Sequence, residues 1–168
     1  MAVIINSENL SELKVGILRR SQKMACNHNY YFTPNIAMHL YNAKVVFIKP
    51  TFIVFEFDKS THLSLLLLMR RLNDKLQMEL KINCSELFDK EIYDIVSEKE
   101  TTFSIRCFLP TIRGKYNIIC QDPDENGLVF KLPRLDCIFK EITIEIKNVW
   151  QTGDKRGFNI ELKSVNYN

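Results

Sequence analysis

The stretch from Glu141 to Tyr167, EITIEIKNVWQTGDKRGFNIELKSVNY, constrains the fold of this chain more than any other. In it Ile142, Ile144 and Ile146 alternate with Thr143, Glu145 and Lys147. After a loop of Gly, Asp, Lys and Arg, Phe158, Ile160 and Leu162 alternate with Asn159, Glu161 and Lys163. A period of two gives each run one apolar and one polar face, and a slip of one residue would carry every isoleucine into water. The pattern therefore predicts an antiparallel hairpin with one half-buried face, which needs other elements to cover it.

The rest of the chain supplies them. AKVVFIKPTFIVFEFD is rich in Val, Ile and Phe and is interrupted by KPT, which predicts two strands joined by a tight connection. Ser60 opens the strongest helical run, THLSLLLLMRRLNDKLQ. Ser7 caps a second helix over SENLSELKVGILRRSQKM, and SELFDKEIYDIVSEK allows a third. NHNYYFTPN (Asn27–Asn35) reads as an ordered loop in which Thr33, before a proline, is extended. TTFSIRCFL, KYNIIC and LVFKL are three short β-type runs punctuated by PTIRG and DPDENG. The expected class is mainly β with helical insertions (α+β), as a small, partly open, antiparallel β-barrel. At 168 residues, with no repeat and no long linker, residues 1–168 form one expected domain.

Composition narrows the functional classes. An apolar fraction of 46% excludes a disordered chain, and LSLLLLM (Leu63–Met69) is far too short to span a bilayer, so no membrane is expected. MAVIINSENL has neither the basic region nor the apolar stretch of a secretory signal. Cys26, Cys84, Cys107, Cys120 and Cys137 are odd in number and widely spaced, which suits reduced thiols in the cytoplasm.

Charge is distributed unevenly around a net +3. No Asp or Glu occurs from Leu13 to Phe55, where Lys14, Arg19, Arg20, Lys23, Lys44 and Lys49 lie. Thr101–Gln121 is likewise free of acids and carries Arg106, Arg113 and Lys115. One account is chance clustering plus apolar strands; the other is a surface kept open to phosphates. Aromatic residues share these stretches: Tyr30, Tyr31, Phe32, Tyr41, Phe47, Phe52 and Phe55 in the first, Phe103, Phe108 and Tyr116 in the second. Unpaired bases stack on aromatic faces while nearby cations neutralise the backbone, so the mixture suits a single strand. Phe47, Phe55 and Phe108 are expected in the core, whereas Tyr30 and Tyr31, among Asn and His, are expected to be available. Trp150 is either a barrel plug or a stacking platform. Lys155 and Arg156 sit together in the turn, where exposed charges contribute little to folding.

Catalytic motifs are missing. There is no GxSxG, phosphate loop, HExxH or GxGxxG, so no enzyme and no cofactor is expected. DPDENG starts like a calcium loop, but its twelfth position is Pro133 and it reads as a polar turn. Cys26 and His28 have no second pair at zinc-like spacing, and His39 and His62 stand alone, so no metal is expected.

The closing pattern ITIEIKNVWQTGDKRGFNIELKSVNY, after GLVFKLPRLD, resembles the end of OB-fold (oligonucleotide-binding) single-stranded DNA-binding proteins of DNA viruses. Related replication proteins occur on the virus-like linear plasmids of yeast cytoplasm. Trp150, the loop and the alternating strand carry the likeness, over about the last forty residues. The resemblance implies a cytoplasmic protein that coats single-stranded DNA during DNA replication, with Trp150, Lys155 and Arg156 at the groove. With the basic and aromatic residues above, the candidate set is Tyr30, Tyr31, Lys44, Lys49, Phe52, Arg106, Arg113, Lys115, Trp150, Lys155 and Arg156. RNA stays open beside DNA, and self-association is compatible with the pattern. Many such proteins recruit replication partners through an acidic tail, whereas SVNYN carries no acid. An assembly protein binding other subunits and a factor recognising duplex DNA ends are the alternatives.

Overall fold

The computed structural model describes residues 2–21, 28–121 and 129–167. Its strands are β1 (Val3–Ile4), β2 (Gly16–Ser21), β3 (His28–Lys49), β4 (Phe52–Asp58), β5 (Ser97–Glu98), β6 (Thr102–Phe108), β7 (Thr111–Ile112), β8 (Lys115–Tyr116), β9 (Ile119–Gln121), β10 (Ile138–Thr152) and β11 (Lys155–Asn166). The helix α1 (Leu63–Asn83) lies between β4 and β5. The protein is mainly β with one long helical insertion. No helix among the described residues is long and apolar enough to cross a membrane.

The main sheet runs β5-β6-β4-β3-β10-β11-β9, and β6 also meets β11. Five strands thereby close partly into a ring, β3-β4-β6-β11-β10. A single parallel pair, Phe108 with Glu161, joins β6 to β11. The order β10-β3-β4-β6 sets a fourth strand beside the first, which is a Greek-key arrangement.

The ring encloses the core. Ile142, Ile144 and Ile146 of β10 and Phe158, Ile160 and Leu162 of β11 all point into it, as their alternation requires. β3 can curl through 22 residues because its phase changes twice. Asn42 takes a φ of 55°, which Asn tolerates, and the inward set passes from Met38 and Leu40 to Ala43 and Val45. A bulge between Val45 and Phe47, against Phe55 and Val54 of β4, then turns Phe47 outward. α1 buries Leu66, Met69, Leu72, Leu76 and Leu80 in the same core at helical spacing.

Several local expectations are corrected. Asn29–Asn35 are part of β3, not of a loop: β2 on one edge and β10 on the other supply backbone partners that the polar composition did not reveal. The Ser7 helix shrinks to one 3-10 turn, Leu10–Glu12, because Gly16–Ser21 pairs with β3 instead. SELFDKEIYDIVSEK forms one 3-10 turn, Ser85–Leu87, then an extended strap over residues 92–95 held by contacts distant in sequence. Of LVFKL, Val129 makes an isolated bridge to Ile119, and residues 130–132 are not strand. Cys26 and the DPDENG turn lie outside the described residues.

Candidate functional site

Where β6 and β11 splay apart beyond their single pair, a cleft of about 670 Å³ opens. One wall is Thr51, Phe52, Arg106 and Phe108, from β4, β6 and the turn before β4. The other is Trp150 with Gly157–Ile160, from the terminal hairpin. Tyr93, Asp94 and Ile95 of the strap complete it.

The first wall follows from strand phase. Ile53, Phe55 and Phe57 of β4 point inward, as do Phe103, Ile105 and Cys107 of β6. Phe52, Arg106 and Phe108 belong to the opposite phase and face the cleft. The guanidinium of Arg106 lies 3.8 Å from the centroid of Phe52, and Phe52 stacks on Phe47 at 5.6 Å. Lys49, 5.9 Å over the Phe47 ring, is paired with Phe52 in the ladder. Phe47 and Phe108, expected in the core, are each 45% exposed. The bulge in β3 explains Phe47. Phe108 shares its phase with Ser104 and Arg106, a signal present in TFSIRCF.

The second wall depends on a missing side chain. Trp150 pairs with Gly157, and a Cβ there would meet indole Cζ2 at 2.7 Å. Glycine alone lets the ring lie against the neighbouring strand. Trp150 is 36% exposed, at the rim of the sheet and not plugged into its interior. Tyr93 flanks it at 6.2 Å between centroids. The sequence reading missed Tyr93, because the stretch around it carries a weak helical pattern. Its placement is long-range: its N–H donates to the carbonyl of Arg156 at 2.8 Å. Asn73 and Gln77 of α1 clamp the strap. Asn73 Nδ2 donates to Asp94 Oδ1 (2.9 Å), the Ile95 N–H donates to Asn73 Oδ1 (3.0 Å), and Gln77 Nε2 donates to Asp94 Oδ1 (3.0 Å). Asp94, the one carboxylate among the described lining residues, is thus engaged by amide donors.

The remaining candidates divide. Arg113 and Lys115 are exposed on the β7–β8 hairpin, which Tyr116 fastens by donating from its hydroxyl to the Pro50 carbonyl at 2.9 Å, next to cleft-lining Thr51. Lys155 is exposed at the hairpin tip, where Gly153 takes a φ of 58°. Gly157, by contrast, is within β11 and takes no part in the turn. Among the described residues Lys49, Arg106, Arg113, Lys115 and Lys155 have no ion-pair partner. Tyr31 is half-buried beneath Arg20, at 5.1 Å, and its neighbours in the ladder run Tyr31–Asn148–Asn159 toward the cleft.

Three candidates do not fit their expected setting. Tyr30 is 2% exposed and donates its hydroxyl to Glu86 Oε1 at 3.0 Å, so it is a core residue; burial foremost, then Glu86, pushes its pKa up. Arg156 is 9% exposed, with Nη1 donating back to the Asp154 carbonyl at 3.2 Å, instead of projecting from the tip. Lys44 is paired with Glu56, four residues along β4 from Phe52, or ~13 Å. Its Nζ lies 3.7 Å from Asp136. Among the described residues no cluster of three or more His, Cys, Asp or Glu could hold a metal ion.

In comparisons with known proteins, no family model matches the chain and no curated protein matches it.

Proposed function

We propose that this chain binds single-stranded DNA without strong base preference, through an OB-like barrel, and coats strands exposed during replication. The observation that carries the reading is the cleft: exposed aromatic side chains on both walls, Arg106 laid on Phe52, and cations on the adjoining strand ends and hairpins that have no ion-pair partner among the described residues. Bases of a single strand are free to insert between such side chains, whereas those of a duplex are already stacked. The adjoining cations meet the phosphates whatever the base sequence.

The barrel reading draws on the Greek-key ring. Counting the ring strands in chain order, the cleft occupies the second and third strands, the loop joining first to second, and the ends of the fourth and fifth strands beside the loop that joins them. Those are the surfaces that OB barrels use for oligonucleotides. The likeness of the closing hairpin to viral and linear-plasmid single-stranded DNA-binding proteins points the same way. Binding by stacking and charge needs no cofactor and no catalysis.

The test compares oligonucleotides of one sequence as single strand, duplex and RNA by fluorescence anisotropy. Single-stranded DNA is expected to bind best. Phe108→Ala, which removes the open aromatic face of the first wall, should weaken it by ~1–3 kcal/mol for the base it stacks, while Lys44→Ala leaves it nearly unchanged. Equal or tighter binding of duplex, or no binding at all, overturns the proposal; preference for RNA reassigns the strand.

A further inference from the structure

Six exposed residues of α1, none of them lining the cleft, form a stripe: Leu63, Leu67, Arg71, Asp74, Met78 and Ile82. At 3.6 residues per turn they fall within about 100° of the helix circumference. The apolar members are unusually open, from 47% for Leu67 to 71% for Ile82. The opposite face of the helix, from Leu66 to Leu80, is already committed to the core. Among the described residues neither Arg71 nor Asp74 has an ion-pair partner.

The stripe reads the same in both directions: apolar, apolar, charged, charged, apolar, apolar, with its centre between Leu72 and Asn73. We infer that this face pairs two copies of the chain, their α1 helices antiparallel about a two-fold axis at that centre. In this arrangement Leu63 meets Ile82 of the second copy, Leu67 meets Met78, and Arg71 meets Asp74. Each contact occurs twice, which is the self-complementarity that a two-fold interface demands. The charges settle direction: a parallel pair in register would set Arg71 on Arg71 and Asp74 on Asp74. They also settle the occupant, since a surface whose own two halves complete each other needs no other protein. Beside the stripe, a cleft of about 720 Å³, lined by Met78, Ile82 and Phe88 together with four polar residues of α1 and Asp94, receives the second copy's Leu63 against its apolar members. The contact is one helix pair long, at the small end of specific interfaces, so the dimer dissociates on dilution.

The test measures mass by sedimentation equilibrium over a range of protein concentrations. The unaltered chain is expected to pass from monomer to dimer. Asp74→Arg alone and Arg71→Asp alone each set like charges together at both central contacts and should weaken the dimer at least ~10-fold. Mixed in equal amounts, these two variants regain opposite charges at both contacts, and the dimer should return as a heterodimer. Carrying both substitutions in one chain should restore it too. A chain that stays monomeric throughout overturns the inference. So do single variants that dimerise like the unaltered chain, or a mixture that fails to recover while both variants keep the parent melting temperature.

Discussion

A Cβ added to Gly157 would lie 2.7 to 2.9 Å from Cζ2, Cε2 and Nε1 of Trp150, closer than packed carbons tolerate. The ring has room to move, since it stands at the rim, and the backbone of β11 has none, since it is paired on β10. In Gly157→Ala the indole should therefore swing away and the strand should hold. Trp150 is the only tryptophan, so its emission reports this event alone. We expect a shifted spectrum, easier quenching by acrylamide and weaker oligonucleotide binding. An emission spectrum identical to that of the parent would show that the glycine does not set the ring. Arg156 illustrates the opposite lesson about position. Next to Lys155 in the sequence, it is buried while Lys155 is exposed, because alternate residues of a strand face opposite ways.

Among the elements, the strap between α1 and β5 depends most on a few bonds. Asn73 is 7% exposed and joins helix to strap through both ends of its amide. Replacing it with Ala strands the buried N–H of Ile95, at a cost of about 1–3 kcal/mol. The strap carries Tyr93 into the cleft, so Asn73→Ala should lower the denaturation midpoint and speed amide exchange at Ile95. Protection at Ile95 equal to that of the parent would rule out this clamp. The hairpin of β10 and β11 is held differently. Its apolar face is sunk in the core, and Glu161 on the other face lies between Lys147 at 3.1 Å and Lys163 at 2.8 Å.

For the whole molecule, charge makes two predictions. If Lys49, Arg106, Arg113, Lys115 and Lys155 all meet phosphates, log affinity falls linearly with log salt at ~0.7 per contact, a slope of at most ~3.5 for these five. Affinity that is flat between low and physiological salt removes the electrostatic account. The second concerns acid. Burial alone would raise the pKa of Glu161, but Lys163 and Lys147 outweigh it and hold the carboxyl below its usual range. The Arg70 hydrogen bond, aided by Lys59, does the same for Glu98. Both groups bind protons more readily in the unfolded chain. Their stabilisation is thus present above the ordinary carboxylate pKa of 4.5 and is lost as pH falls below it. Melting temperature should drop across that range, and Glu161→Gln should flatten the drop.

Much of the fold was legible because strand and helix periods are local. The alternation from Ile142 to Leu162 named the inward residues of β10 and β11, and the Leu-rich run named α1. The face of β6 was also readable, since Ser104, Arg106 and Phe108 share one phase. What escaped depended on partners distant in the chain. Tyr30 and Tyr31 became strand because β2 and β10 flank them. Phe47 turned outward at a bulge that only the ladder with β4 defines, and Tyr93 reached the cleft through bonds to α1 and β11. In α1, β6 and the alternating runs of the terminal hairpin the sequence by itself determined which residues share a face, since that follows from backbone geometry over a few residues. Tertiary structure alone decided which faces meet, since that depends on how a curled sheet brings strands from opposite ends of the chain together. The cleft between Phe52 and Trp150 exists because β6 and β11 touch at one pair and part beyond it.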